Sequence, residues 1–330
     1  MTMRRTLGRS GIEVSALGIG GWAIGGPFLL DGKPDGWGQV DDAESIRAIQ
    51  RAIELGVNFI DTADVYGTGH SERVIGEAIK GRRHEVVIAT KFGFTYDEER
   101  REITGTKWTP EYIRWACEAS LRRLQTDYID LYQLHFGDVP DEEIGDVWAT
   151  LDQLQKEGLI RSYGWSMGNA ERADVYAKQT NGTALQFGSN VLGNAPELFA
   201  VCERHNLASV VNSPLGMGLL SGKFDANSRL PADDVRAAGH SWVTFFADGR
   251  PRPEVLERLA AVREILTSGG RTLAQGALAW VWARSPKAIP IPGFKTLRQI
   301  EENAGALRYG PLTDEQMREI ESLLAQQAAV

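Results

Sequence analysis

Eight short runs of apolar and β-branched residues alternate with amphipathic helical patterns along the chain, and this alternation constrains the fold more than any other feature. The runs cover residues 16–20, 57–61, 86–90, 128–134, 160–165, 184–187, 209–212 and 288–291. Strands that are apolar on both faces are typical of a parallel sheet covered by helices. Two architectures therefore stay open, a doubly wound open sheet and a closed barrel.

The length and continuity of the chain favour the closed barrel. Its 330 residues are enough for one barrel with insertions. No short internal repeat and no Pro/Ser-rich linker divides the sequence. We therefore predict an α/β fold in which a single (β/α)8 TIM barrel forms one domain over residues 1–330.

Capping residues predict where several helices begin and end. A side-chain oxygen at the N-cap accepts from the free N–H groups of the first turn, and proline is favoured at the first helical position. Glycine after the last turn ends a helix because it adopts the left-handed conformation. The predicted starts are Asp41 with Glu44 as a capping box, Ser71, Thr109 before Pro110, and Thr313 with Gln316, and the predicted ends are Gly56 and Gly158.

Segments outside the eight apolar runs and their helices predict an N-terminal β-hairpin and two long loops on the substrate side. Residues 4–7 and 13–15 are predicted to pair as a hairpin ahead of the barrel. Residues 93–107 follow the third strand and residues 224–254 the seventh, on the face where barrel enzymes place their sites. The second loop carries Trp242, Phe245 and Phe246, which either form a small core under the loop or line a pocket.

The composition argues against several classes of partner. With 36 basic and 44 acidic residues the net charge is -8, and no basic cluster stands out. An acidic, mixed surface argues against non-specific nucleic-acid binding. No run approaches the ~20 apolar residues of a membrane span, and several glycines interrupt the apolar stretch of residues 14–24, unlike a signal peptide. We expect no membrane association and a cytoplasmic location.

Cysteine and histidine usage gives no sign of a disulfide framework or a metal site. The two cysteines are Cys117 and Cys202, and Cys117 lies in an apolar helical stripe that predicts a buried thiol. Cys202 and His205 offer two ligands on one predicted helix, whereas a zinc site needs three or four. We predict that the chain holds no metal.

Polar or special residues follow each of the eight predicted strands. Because parallel barrel strands all end on one face, these residues would converge on one mouth. They are Trp22, Asp61, Lys91, His135, Ser166, Gln186, Ser213 and the pair Pro292-Gly293. A buried lysine and a buried aspartate are each costly unless they pair, so we predict an ion pair between Lys91 and Asp61.

Tyr66, in the loop five residues after Asp61, offers a proton donor. A phenol has a reference pKa of about 10, and a neighbouring ammonium lowers it. We predict that Lys91 lowers the pKa of Tyr66 toward neutrality, so that Tyr66 acts as a general acid. His135 is predicted to hydrogen-bond a substrate carbonyl oxygen, which becomes alkoxide-like as hydride arrives. The pattern indicates carbonyl reduction without a metal.

Four groups of sequence motifs are spread along the chain. They are Gly56-Val57-Asn58-Phe59-Ile60-Asp61-Thr62-Ala63 with Tyr66-Gly67, Tyr128-Ile129-Asp130-Leu131 before His135, Lys156-Glu157-Gly158-Leu159-Ile160-Arg161, and Ser213-Pro214-Leu215-Gly216 with Gly218-Leu219-Leu220-Ser221-Gly222-Lys223. Through these motifs the sequence resembles the aldo-keto reductase superfamily over nearly its whole length. The resemblance implies the catalytic tetrad Asp61, Tyr66, Lys91 and His135, hydride transfer from NADPH, and a barrel without a Rossmann motif.

The resemblance also implies which residues contact the cofactor. Ser166 and Gln186 match residues that hold the nicotinamide amide. Lys295 and Arg298 would lie near a 2′-phosphate, which favours NADPH or NADP+ over NAD. Met167 and Asn212 depart from the Asn and the stacking aromatic of many relatives. The full expected set is Trp22, Ser166, Gln186, Ser213, Pro214, Leu215, Gly216, Gly222, Lys223, Gly293, Lys295, Gln299, Glu302 and Asn303.

The leading hypothesis is an NADP(H)-dependent oxidoreductase that reduces aldehydes or ketones, or runs in reverse, as a monomer or a homo-oligomer. Trp22, Tyr66, His135 and Trp242 are expected to contact the small-molecule substrate. One alternative is a catalytically weak NADP-binding regulatory subunit of a membrane channel, since some relatives act that way. Another is a metal-dependent barrel hydrolase, against which the missing ligand cluster counts.

Overall fold

Eight parallel strands form a closed sheet, which confirms the predicted (β/α)8 barrel. The computed structural model describes residues 3–328. The strands pair in chain order, and the sheet closes where Gly20 pairs with Gly293 and its N–H donates to the Pro292 carbonyl oxygen at 3.0 Å. Labelled β1 to β8, they are Gly18–Gly20, Phe59–Asp61, Val87–Phe92, Leu131–Leu134, Tyr163–Ser166, Ala184–Gly188, Ala208–Asn212 and Ala288–Pro290.

Several strands begin later than the apolar runs that predicted them. The second run starts at residue 57, yet β2 starts at Phe59. The Val57 N–H still donates to Ala52 at the helix end, and the Asn58 N–H donates to the Ser15 hydroxyl at 3.0 Å. An apolar run therefore includes the turn that leads into a strand as well as the strand.

The described residues form ten α-helices, which surround the sheet. Two of them, α7 and α8, lie between β7 and β8, and the last two follow β8. Labelled α1 to α10, they are Asp42–Glu54, His70–Ala78, Pro110–Leu124, Ile144–Lys156, Ala170–Gln179, Pro196–His205, Pro253–Thr267, Leu273–Arg284, Leu297–Gly305 and Asp314–Ala328.

The predicted caps are mostly confirmed. Thr109 caps α3 with Pro110 in its first turn, and Thr313 and Gln316 bond reciprocally at the start of α10. Asp41 caps α1, but the Glu44 carboxylate accepts from the Leu297 N–H at 2.8 Å instead of completing a box. Glu44 thereby ties α1 to the start of α9.

The prediction that Ser71 caps α2 is wrong. The N-cap position is Gly69, and Ser71 lies inside the first turn. Its hydroxyl donates to the Gly21 carbonyl oxygen at 2.8 Å and lies 2.8 Å from the Thr62 hydroxyl. Ser71 therefore links the segments that follow β1 and β2.

The N-terminal hairpin is confirmed and covers one end of the barrel. Arg4–Thr6 and Glu13–Ser15 pair antiparallel. Leu7, Ile12 and Val14 are buried in one cluster with inward residues of the barrel strands, such as Phe59 and Leu131. The open end of the barrel is therefore the opposite one, at the carboxyl ends of the strands.

The two long loops contain more regular structure than the sequence indicates. Within residues 93–107, Phe94–Asp97 and Glu102–Thr106 form a hairpin, which pairs with a second hairpin of Leu29–Leu30 and Lys33–Pro34. Within residues 224–254, a 3-10 turn at Val235–Ala237 and a two-stranded ribbon of Phe246–Ala247 and Arg250–Pro251 precede α7. Both loops rise at the open end of the barrel.

The described helices and cysteines add two further observations. No helix within residues 3–328 is long and apolar enough to cross a membrane. Cys117 and Cys202 are both free and buried, and burial raises the pKa of the Cys117 thiol to about 12. The prediction that the Cys117 thiol is buried is confirmed.

Candidate active site

A cavity of about 710 Å³ opens at the carboxyl ends of the strands. Most of the residues that the sequence assigned to the site line it, while Lys91, Ser166, Gly216 and Gly222 do not. The predicted residues that line it are Trp22, Asp61, Tyr66, His135, Gln186, Ser213, Pro214, Leu215, Lys223, Trp242, Gly293, Lys295, Gln299, Glu302 and Asn303.

Lys91 lies directly under the cavity floor and is fully buried inside β3. The sequence had placed it just past the end of that strand, so its strand is longer than predicted. Its ammonium Nζ donates to Asp61 Oδ1 at 2.7 Å, to the Thr62 carbonyl oxygen at 2.8 Å and to the Tyr66 hydroxyl at 3.3 Å. The predicted Lys91–Asp61 ion pair is confirmed.

The charge on Lys91 is held by its partners despite its burial. Burial alone would lower the pKa of Lys91, but the attraction of Asp61 and the bonds to Asp61 and Tyr66 outweigh it, so the pKa of Lys91 is raised. The second oxygen of Asp61 accepts from Gln186 Nε2 at 2.7 Å and from Gln133 Nε2 at 3.3 Å. Asp61 is thus saturated with donors and stays in place beneath Tyr66.

Tyr66 is placed by a tight contact between two loops. Gly67 has φ of 61°, and a Cβ built there would lie 1.8 Å from the Gly25 carbonyl oxygen. A Cβ at Gly25 would likewise lie 2.8 Å from the Tyr66 carbonyl carbon. Only glycine allows the backbones after β1 and β2 to approach this closely, and this approach sets the position of the phenol over Lys91.

The prediction that the pKa of Tyr66 falls toward neutrality is wrong for the free chain. Burial raises the pKa of Tyr66, and the positive charge of Lys91 lowers it by less. Lys91 therefore acts in the expected direction, but desolvation of the tyrosinate outweighs it. The phenol keeps its proton at neutral pH, as a proton donor must.

His135 lies beside Tyr66 in the cavity wall as a neutral imidazole. Its ring meets the Tyr66 ring edge-on at a centroid distance of 5.6 Å and the Phe94 ring at 5.1 Å. Burial, together with the charge of Lys91, lowers the pKa of His135 well below its usual value. Nδ1 is buried with no partner among the described residues, and because a buried orphan N–H is rarer than a buried orphan acceptor, we assign the proton to Nε2.

The segment after β7 forms a basic cradle along one side of the cavity. Ser213, Gly216, Met217, Gly218 and Gly222 all have positive φ between 50° and 87°. These left-handed residues fold the segment into consecutive tight turns, in which the N–H groups of residues 216 and 218–222 donate to carbonyl oxygens within residues 213–219.

Three cations stand around that cradle. Lys223 and Lys295 line the cavity together with Arg236. Partial desolvation lowers the pKa of Lys223 and of Lys295, although Lys223 is exposed and Lys295 is half-buried. Lys295 Nζ donates to the carbonyl oxygens of Trp37 and Gln39 at 2.8 Å each, while Arg298 is exposed and does not line the cavity.

The far end of the cavity is formed by the start of α9. Gln299 completes a capping box with Thr296 and also accepts from the Lys295 N–H at 2.7 Å. Asn303 is buried, and its Nδ2 has no partner among the described residues. An unpaired amide donor and three cations along one cavity fit an elongated anionic ligand such as a dinucleotide.

The two departures from the family pattern have different positions. Asn212 ends β7 and lines the cavity. Met167 is buried in the main core and does not line the cavity, so the missing amide is replaced by packing. Ser166 ends β5 half-buried and also lies outside the lining.

Sequence reasoning missed several lining residues. Arg236 and Asp234 form a buried bidentate pair, with N–O distances of 2.8 and 2.6 Å, and Asp35 and Trp37 come from the segment after β1. None of them follows a predicted strand directly, so strand-end position gave no signal. The only sequence signal was an Asp and a Trp two residues apart in a Gly-rich segment that also holds Trp22.

The aromatic residues of loop 224–254 divide between both open interpretations. Phe246 is buried in the main core, and Phe245 packs against it. Trp242 is 44% exposed and lines the cavity, with its ring 5.9 Å from that of Trp22. The loop therefore adds two aromatic residues to the main core, rather than forming a separate small core of its own, and one to the cavity wall.

Within residues 3–328, no three or more His, Cys, Asp or Glu side chains are grouped so that they could hold a metal ion. The pair that the sequence singled out is engaged elsewhere. His205 Nε2 lies 2.8 Å from Asp174 Oδ1, and the Cys202 thiol lies 3.9 Å from the Ala208 carbonyl oxygen.

Known proteins are similar to this chain over nearly its whole length. Residues 16–325 match the Aldo/keto reductase family. The uncharacterized oxidoreductase YqkF of Bacillus subtilis is 30% identical, with 97% of this chain and 95% of that protein aligned. These matches cover all the strands and the whole cavity.

Two solved structures are similar in three dimensions. An aldo-keto reductase from Bacillus halodurans in its holo form superposes with a TM-score of 0.79 at 31% identity, covering 98% of this chain and 96% of that one. An aldo/keto reductase from Klebsiella pneumoniae in complex with NADP and acetate superposes with a TM-score of 0.71 at 25% identity, covering 97% and 95%. The chain belongs to the aldo-keto reductase family of oxidoreductases.

Proposed function

We propose that this chain interconverts aldehydes or ketones with their alcohols, using NADP(H) and Tyr66 as the proton donor and acceptor. The observation that carries the proposal is the buried chain of contacts from Asp61 through Lys91 Nζ to the Tyr66 hydroxyl. This chain ends at the floor of a cavity large enough for a cofactor and a small substrate. The solved relative from Klebsiella pneumoniae, which holds NADP, supports the choice of cofactor.

The cofactor would be held by the groups that fit an elongated anion. Lys223 and Lys295 would hold phosphates beside the turns that begin at Ser213, and Asn303 would meet the adenosine end. When bound, NADPH supplies the hydride that reduces the carbonyl carbon. Gln186, which matches a nicotinamide ligand, donates its Nε2 to Asp61, so its carbonyl oxygen is the atom left for a carboxamide.

Tyr66 and His135 would act on the substrate oxygen from two sides. His135, neutral and with its proton on Nε2, would hydrogen-bond the carbonyl oxygen and orient it. Tyr66 would deliver its proton to that oxygen as negative charge develops, and Lys91 would stabilise the tyrosinate that remains. In the alcohol-oxidising direction the same tyrosinate would take the proton back.

The first test is the loss of NADPH absorbance with a panel of aldehydes and ketones, using Tyr66→Phe and a matched control. Loss of a general acid costs about 10²-fold or more in rate, while NADPH binding, measured by fluorescence titration, should persist. Tyr96→Phe removes a phenol hydroxyl from the neighbouring hairpin that does not line the cavity, and it should keep its rate. Near-normal turnover by Tyr66→Phe would remove Tyr66 from the mechanism.

The same assay separates the enzyme from a regulatory subunit. Tight binding of NADPH with no turnover of any carbonyl, and none of any alcohol with NADP+, would favour the non-catalytic alternative. Among residues 3–328, no contact favours the regulatory-subunit alternative over catalysis.

A further inference from the structure

We propose that the outer end of the cavity selects carbonyl substrates that carry a protonated amine, and that Asp35 is the residue that recognises it. The inference rests on the proposed function, since it names the substrate class of the same site. Asp35 is 8% exposed and lines the cavity. It directly follows the hairpin of Leu29–Leu30 and Lys33–Pro34.

The carboxylate of Asp35 lacks a hydrogen-bond donor. Within residues 3–328, no donor lies within hydrogen-bond distance of either carboxylate oxygen, and Oδ1 is buried without a partner. The nearest ionisable group is His240, whose Nε2 lies 3.7 Å from Oδ1 but is hydrogen-bonded to the Pro34 carbonyl oxygen at 2.9 Å. Burial without a partner raises the pKa of Asp35 to about 7. A buried acid that no protein group satisfies is rare and calls for a ligand that does.

The cations nearby have other partners. Arg236 is bound to both oxygens of Asp234 and to the Met217 carbonyl oxygen. Lys295 Nζ holds the Trp37 and Gln39 carbonyl oxygens, and Lys223 lies over the Phe224 ring. None of these three cations bonds to Asp35, so a cationic ligand would supply the charged partner that the carboxylate lacks.

The surroundings of Asp35 favour an organic cation in particular. Trp22, Trp37 and Trp242 line the same end of the cavity, and the Trp22 indole N–H donates to the Asp35 carbonyl oxygen at 3.0 Å. The Trp22 ring lies 5.2 Å from Trp37 and 5.9 Å from Trp242. Indole faces attract ammonium groups through the ring quadrupole, so a carboxylate among tryptophans suits a cation with apolar substituents.

The recognition site and the reacting site are adjacent. The Trp22 ring stacks on the Tyr66 ring at a centroid distance of 6.1 Å, so one indole joins the acid to the proton donor. A substrate with an aromatic spacer between carbonyl and amine could therefore reach both. An anionic group at the same position would meet Asp35 with a like charge and would be rejected.

The test uses four para-substituted benzaldehydes that differ in one group. The dimethylaminomethyl compound is a cation at neutral pH, and the isobutyl compound is its neutral isostere. The hydroxymethyl compound is a neutral donor, and the carboxy compound is an anion. A hydrogen bond to a charged group contributes about 1.5–3 kcal/mol, so we expect kcat/KM for the cation to exceed that for the isostere by about 10-fold or more.

The variant Asp35→Asn should bring that ratio close to one. Asp31→Asn is the matched control, because it makes the same change at an exposed residue of the same hairpin, and it should keep the wild-type ratio. A ratio near one in the wild type would overturn the proposal, as would a hydroxymethyl compound that equals the cation. A preference that survives in Asp35→Asn would also overturn it.

A binding measurement tests the inference separately from the proposed reaction. N,N-dimethylbenzylamine should quench tryptophan fluorescence in the wild type and in Asp31→Asn, and not in Asp35→Asn, since three tryptophans line the site. If the isobutyl compound is reduced but the ratio is near one, the inference fails and the proposed function stands. If no aldehyde is reduced while the amine quenches, the proposed function fails and the cation site stands. Absence of quenching overturns the inference in either case.

Discussion

Lys91 is a fully buried cation, and Asp61 at the cavity floor is the charged partner that offsets the cost of its burial. The ammonium is 0% exposed and lies 2.7 Å from Asp61 Oδ1. Breaking a buried pair by removing one partner leaves the other charge uncompensated, whereas removing both charges together is often close to neutral. The two outcomes can be separated by a pair of variants.

Lys91→Met should lower the free energy of unfolding by about 3–5 kcal/mol, because Asp61 is left charged and buried. Adding Asp61→Asn should recover most of that loss, as measured by urea denaturation. The control is the exposed pair Lys80–Glu77, where Lys80→Met should change stability by less than about 1 kcal/mol. A double variant no more stable than Lys91→Met would contradict the uncompensated-charge argument.

The pH dependence of reduction follows from the directions of two pKa shifts. Tyr66 acts while protonated, and its pKa is raised by burial. His135 acts while neutral, and its pKa is lowered by burial. Both groups are therefore in the active form between the lowered and the raised value. Reduction of a neutral aldehyde should stay within about twofold from about pH 6 to about pH 9.

The profile is best measured in Asp35→Asn, because the pKa of Asp35, about 7, lies inside that range. Alcohol oxidation by the same variant should instead accelerate as pH rises, since it needs the tyrosinate. A fall in reduction rate near the ordinary histidine value of about 6.5 would show that His135 titrates normally and would contradict the assignment of a neutral imidazole.

At the scale of elements, the position of Tyr66 depends on the contact between the loops after β1 and β2. Gly67→Ala would place a Cβ 1.8 Å from the Gly25 carbonyl oxygen. One loop must move, so we expect a loss of at least about 2 kcal/mol in stability and a lower kcat, because Tyr66 moves with Gly67. Denaturation and steady-state rates measure both effects.

Gly158→Ala is the matched control for that prediction. Gly158 has a similar left-handed φ of 79°, but a Cβ there would meet nothing within 4 Å. It should lose only the left-handed strain of about 1–2 kcal/mol and keep its kcat. Equal losses in the two variants would show that backbone strain, rather than the loop contact, explains the effect.

The sequence predicted the elements of the barrel better than those of its loops. Apolar runs indicated all eight strands, and strand-end position indicated Asp61, Lys91 and His135, because barrel geometry brings strand ends together. The hairpin of Phe94–Asp97 and Glu102–Thr106 was not predicted. Its residues are half-buried or exposed, so the sequence has no apolar run there that would predict a strand.

Asp35 and Arg236 could not be assigned from the sequence for a related reason. Asp35 reaches the cavity because its hairpin pairs with the one after β3, and Arg236 because Asp234 holds it from two residues away. Both depend on contacts between segments far apart in the chain. Local pattern does not encode such contacts, whereas it does encode a strand and its end.

At the scale of the whole molecule, a cofactor that binds only the folded protein raises the free energy of unfolding. At a concentration about 100-fold above its Kd, NADP+ should raise the free energy of unfolding by about 2.7 kcal/mol. Differential scanning calorimetry would show this as a higher Tm that rises with NADP+ concentration. NAD+ at the same concentration should give a smaller shift, and equal shifts would contradict the preference for NADP(H).

The closure of the sheet between Gly20 and Gly293 has a consequence for synthesis on the ribosome. The first strand leaves the exit tunnel before the others, but the neighbour it needs on one side is β8, the last of the eight strands to be synthesised. Until then a nascent chain holds seven strands with two unpaired edges, and open edges are templates for aggregation. Nascent chains stalled before β8 should therefore depend on chaperones far more than the released protein does.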